Sequence, residues 1–154
     1  MDHPTHQHAH PTGWVMAARA TLHCLTGCAL GEVLGMVVAT AAGLGNGATI
    51  ALSVVLAFVF GYALTVRGVL RSGVPLQRAL RLALAADTVS IAVMEVIDNT
   101  SELVIPGALA APLGSWLFWW SLAVSLALAF VVATPVNHWL ISRGRGHAVV
   151  HGAH

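Results

Sequence analysis

The sequence predicts an all-α integral membrane four-helix bundle with N and C termini cytoplasmic. Three observations carry this expectation. Of 154 residues, 57% are hydrophobic and only 8% are charged, whereas soluble domains carry about 25% charged residues, and the mean hydropathy is +0.80. Four mainly apolar segments follow one another, at residues 20–42, 48–66, 80–101 and 116–141, each near the roughly 20 residues that a spanning helix needs. The basic residues, all arginine, fall on one side of a four-pass arrangement.

Taken in order, residues 1–18 form a tail bearing His3, His6, His8 and His10, and Arg19 precedes the first span. Gly43-Leu44-Gly45-Asn46-Gly47 reads as the turn into the second span. Residues 67–81 form the second connection, with Arg67, Arg71, Arg78 and Arg81, and Pro75 suits the first turn of the third helix. Pro106-Gly107 through Pro112-Leu113-Gly114 breaks the chain before the fourth span. Trp116, Trp119 and Trp120 stand at the outer start of that span and Trp139 at its inner end, as an interfacial aromatic belt does. Arg143, Arg145, His147, His151 and His154 lie in a second tail, residues 143–154, leaving 19–142 as the membrane domain. The positive-inside rule then places both tails and the middle loop in the cytoplasm, in a multi-pass protein of the cell's inner membrane. The N-terminus lacks the basic start of a signal peptide. A net charge of +1 with no basic run gives no case for nucleic acid.

The chemistry lies inside the spans. At about 100° per residue, His23, Cys24, Cys28 and Glu32 share half of the first helix, with Gly27, Gly31 and Gly35 beside them. The glycines form a small-xxx-small stripe that admits a close neighbour, and packing is their expected role. On the third span Asp87, Ser90, Ile91, Met94, Glu95, Asp98 and Glu102 cluster on one side. Rise along the helix puts His23, Cys24, Asp87 and His138 in the cytoplasmic half, Cys28 and Glu32 near the middle beside Met94 and Glu95, and Asp98 further out. A carboxylate at mid-bilayer costs about 2.5–3.5 kcal/mol on insertion scales, so Glu32, Asp87, Glu95 and Asp98 together would cost on the order of 10 kcal/mol if ionised and unpaired. No arginine lies at these depths. The carboxyls therefore share protons, bond to one another, bind a cation or line water.

His23-Cys24-x-x-Gly27-Cys28-x-x-Gly31-Glu32-x-x-Gly35-Met36 resembles the opening signature of a family of small bacterial and archaeal membrane proteins known as a domain of unknown function. The stretches Ala85-Ala86-Asp87-Thr88-x-Ser90-Ile91-x-x-Met94-Glu95-x-x-Asp98-Asn99 and Pro135-Val136-Asn137-x-Trp139-Leu140-Ile141-x-Arg143-Gly144-x-Gly146-His147 resemble its other two. The resemblance covers about residues 14–151 and implies four membrane helices, with no activity attached.

The function expected from the residues is binding or transport of a transition-metal ion. Thiolate, imidazole and thioether donors favour Cu(I) or Zn(II). The expected ligand set is His23, Cys24, Cys28, Glu32, Asp87, Met94, Glu95 and Asp98, supported by Ser90, Asn137 and His138, with the tail histidines as a collecting surface. One four-helix protomer is thin for alternating access, so a homodimer in the bilayer is expected. The alternatives are a proton or cation relay along the carboxyls, or an accessory subunit whose polar groups glue helices together. Thiol redox and haem ligation rank below these, because no Cys-x-x-Cys or Cys-x-x-Cys-His motif is present. No phosphate-binding loop or nucleophile–base pair points to hydrolysis.

Overall fold

A computed structural model describes residues 13–143. Among these the chain is all-helical: α1 (Gly13–Ala42), α2 (Asn46–Arg71), α3 (Leu76–Val104) and α4 (Trp116–Ser142), with one short 3-10 turn at Ala108–Ala110. The tail histidines and Arg145 lie outside the described residues, and α1 begins inside the segment expected to be tail. The helices outrun the apolar segments mainly at their arginine-bearing ends. Arginine is a good helix former, and its long stem lets the charge reach water while the backbone stays helical.

Consecutive helices run antiparallel. Between α1 and α2 the reason is steric. Gly27 lies against Gly61, where an added Cβ would come within 2.7 Å of the Gly61 backbone. Gly31 faces the Ala57 backbone and Gly35 faces Ser53 just as tightly. The register is constant and centred on the turn at Leu44. α2 answers with its own small stripe, since Ser53, Ala57, Gly61 and Thr65 are all buried. Gly27, Gly31 and Gly35 thus lie at the α1–α2 contact. The short turn that closes this hairpin uses Gly43 at φ +65°, a conformation glycine adopts without penalty.

α1, α2 and α4 are each long and apolar enough to cross a membrane. The fourth expected span, in α3, is 29 residues long, about 44 Å at 1.5 Å per residue, but is set apart by its charged residues Arg78, Arg81, Asp87, Glu95, Asp98 and Glu102. Its polar residues point inward: Asp87, Ser90, Glu95 and Asp98 are buried, while Leu84, Val89, Val96, Leu103 and Val104 are exposed. The molecule is inverted relative to a soluble bundle, with Trp116, Val131 and Val55 also on the outside.

Candidate functional site

The buried polar groups form a column between α1 and α3, tied to α4 at two levels. At the arginine-bearing end the Asn137 amide donates to Thr21 Oγ1 at 2.8 Å and to Ser90 Oγ at 3.0 Å. This links α4 to α1 and α3 at once. The Cys24 thiol, one turn further along α1, donates to Asp87 Oδ1 at 3.7 Å, and the Thr65 hydroxyl of α2 also reaches Asp87. Asp87 is completely buried.

In the middle, Cys28 faces the Glu95 carboxyl. Cys24, Cys28 and Met94 otherwise pack in one apolar cluster with Ile91, Ala57, Ala129 and Ala133. The Asn99 amide of the next turn donates to Glu95 Oε2 at 3.5 Å. Both cysteines are free thiols.

Toward the other end, Glu32 meets Asp98 and Glu102. One oxygen from each of the three carboxyls can be chosen so that all lie within 4.8 Å of one another. Ser125 of α4 donates its hydroxyl to Asp98 Oδ1. Glu32 is 7% exposed; its oxygens receive no N–H or hydroxyl donor, and its hydrogen-bonding neighbours are the carboxyls of Asp98 and Glu102. Beside the three carboxyls is a cavity of about 20 Å³, also lined by Glu95, Ser53 and Thr49, large enough for one water-sized occupant. Leu109 of the 3-10 turn also lines it, so the cavity faces the end of the bundle that carries no arginine.

Among the described residues, this trio of carboxyls is the group of three or more His, Cys, Asp or Glu donors that converges tightly enough for a metal. The expected set therefore separates. Glu32 and Asp98 meet, Cys24 pairs with Asp87, Cys28 with Glu95, and Met94 packs beside the thiols. His23 is half-buried one residue before Cys24, outside the converging group. His138 stacks on Trp14 with ring centroids 4.1 Å apart and an interplanar angle of 12°, so it is held at the start of α1 and away from the carboxyls. Glu32 also lies level with Asp98 rather than with Glu95. Counting rise along two helices assumes a common starting level, and their stagger is set by the intervening α2 hairpin, which the apolar pattern does not encode. Glu102 belongs to the polar side of the third helix but stands outside the expected ligand set. Its signal was its place four residues after Asp98 on the same stripe. Thr65 and Ser53 were signalled by the small-residue stripe of α2, which mirrors that of α1.

The fold and this buried column define a four-helix bundle with an acidic interior, three of whose helices are long and apolar enough to cross a membrane. The chain belongs to the family described as Domain of unknown function (DUF4396), which matches residues 13–146. No curated protein and no solved structure matches it.

Proposed function

We propose that this chain is a multi-pass protein of the cell's inner membrane that binds a divalent metal cation within the bilayer, at Glu32, Asp98 and Glu102. The observation that carries the reading is Glu32: both oxygens are buried, receive no N–H or hydroxyl donor, and meet only the carboxyls of Asp98 and Glu102 beside a cavity. A buried polar atom without a partner costs about 1–3 kcal/mol, more if charged, and a cation in the cavity supplies what the protein does not.

The donor set refines which ion. Oxygen-only ligation suits the hard cations Mg²⁺, Ca²⁺ and Mn²⁺. Zn(II) accepts carboxylates too, while Cu(I) calls for the thiols and the thioether, which lie a turn or more away in apolar packing. In this reading Cys24, Cys28 and Met94 are core residues. α3 crosses the membrane with the others because its outward face is apolar and its charges are turned inward. The exposed arginines Arg67, Arg71, Arg78 and Arg81 mark the cytoplasmic side, so the cavity faces the opposite one.

The test is Mn²⁺ binding to the purified protein in detergent, followed by the loss of the free-ion EPR signal. Wild type is expected to bind a single Mn²⁺ per chain. Glu32→Gln is expected to weaken binding by roughly 10–100-fold, the scale seen when a metal site loses a supporting group. Equal binding by wild type and variant removes the reading.

A further inference from the structure

We infer that the Ser53 hydroxyl of α2 is a fourth ligand of the cation, and that the missing side chain of Gly35 makes room for it. This rests on the proposed binding of a divalent cation at Glu32, Asp98 and Glu102. The observation is a buried hydroxyl left without a bond. Ser53 is 8% exposed and lines the cavity beside the three carboxyls, yet its Oγ makes no hydrogen bond among the described residues. Serine and threonine inside a helix commonly return their proton to a carbonyl three or four residues back. Thr21 does so to Ala17, Ser125 to Leu122 and Thr49 to Gly45. Thr49 stands one turn before Ser53 on the same cavity wall, so the two hydroxyls differ in commitment rather than in place.

The seat of Ser53 is set by α1. A Cβ on Gly35 would overlap the Ser53 Oγ and come within 2.7 Å of the Ser53 Cα. Gly35 follows Glu32 by three residues, and both are buried on one face of α1. The hydroxyl is therefore held against α1 less than one turn from the Glu32 position. Its chemistry suits the place. Hard divalent ions take six or more oxygen ligands, and the carboxyls of α1 and α3 already suffice to balance the charge. A further ligand is best neutral, because each added carboxylate would have to be desolvated in the membrane interior. A serine oxygen brings a lone pair without a charge. It also keeps the set all-oxygen, the class that Mg²⁺, Ca²⁺ and Mn²⁺ favour, and it lets one ion join α1, α2 and α3.

The experiment exchanges the donor atom. The full chain is purified in detergent as wild type, Ser53→Ala and Ser53→Cys, and Mn²⁺ binding is followed by EPR. Ser53→Ala, which removes one oxygen and leaves the tight contact with Gly35 otherwise intact, should weaken Mn²⁺ binding roughly tenfold. Ser53→Cys should weaken it too, because sulfur is a poor ligand for a hard ion. It should in return gain the thiophilic ion Cd²⁺, read as ultraviolet cadmium–thiolate absorption above that of wild type, whose own thiols are Cys24 and Cys28. A residue that only packs would not change the metal preference in this way. Unchanged Mn²⁺ affinity in Ser53→Ala overturns the assignment and leaves the three-carboxyl site standing, and so does a folded Ser53→Cys without added cadmium–thiolate absorption. Absence of Mn²⁺ binding in wild type with an intact helical spectrum overturns the cation site itself.

Discussion

Glu32 differs from the other buried carboxyls in what surrounds it. Asp98 receives the Ser125 hydroxyl, Glu95 the Asn99 amide and Asp87 the Cys24 thiol, while Glu32 meets only other carboxyls, those of Asp98 and Glu102. The thiols, by contrast, are satisfied where they are. Cys24→Ala and Cys28→Ala should each cost roughly 1 kcal/mol, the scale of removing one small buried group, read as a lower melting temperature in detergent. Mn²⁺ affinity should stay unchanged, and a tenfold loss in either variant would bring sulfur back into the site. The sequence made the inward direction of Cys24, Cys28 and Glu32 legible, because their spacing of four keeps them on one face. Their partners were not legible, since pairing across a bundle depends on the stagger of helices separated by a third. His138 shows the same limit: its depth was readable, but its stacking on Trp14 depends on α1 starting earlier than its apolar segment.

The α1–α2 pair is the element on which the column depends, because it sets how deep Glu32 sits against α3. Its geometry was half legible. The glycine stripe of α1 announced a close neighbour, and the matching stripe of α2 could have identified which one. Close approach without a bulky side chain is how membrane helices gain packing energy. At Gly31 a Cβ would clash with the Ala57 backbone, which cannot swing away as a side chain does. Gly31→Ala should therefore destabilise by about 1–3 kcal/mol, the range for overpacking a tight contact, and should also weaken Mn²⁺ binding by shifting Glu32. Gly47→Ala is the control. It lies in the first turn of α2 with nothing within 4 Å of an added Cβ, so it should be neutral or slightly stabilising. Thermal unfolding of both variants in the same detergent separates the two. Equal melting temperatures would mean that the α1–α2 contact is looser than drawn.

At the scale of the whole molecule, charge is sorted along the bundle axis. The described arginines lie on the half that holds the α2–α3 turn, and the carboxyl trio lies toward the end with the α1–α2 turn and the α3–α4 connection. In the proposed reading such sorting would set the orientation, with the arginine-bearing loops on the cytoplasmic side. That orientation would require α3 to cross, since three crossings would put the α2–α3 turn and the end of α4 on opposite sides. Single reporter cysteines answer both questions, because Cys24 and Cys28 are buried and should give little background labelling. Ser72→Cys lies in the exposed α2–α3 turn and Gly45→Cys in the exposed α1–α2 turn. In intact cells with a permeabilised outer envelope, an impermeant maleimide should label Gly45→Cys and spare Ser72→Cys. Lysis should expose Ser72→Cys and, at the end of α4, Arg143→Cys together. Labelling of both Gly45→Cys and Arg143→Cys before lysis, with Ser72→Cys spared, would show that α3 does not cross, and labelling of both Ser72→Cys and Arg143→Cys, with Gly45→Cys spared, would invert the bundle and turn the cavity toward the cytoplasm.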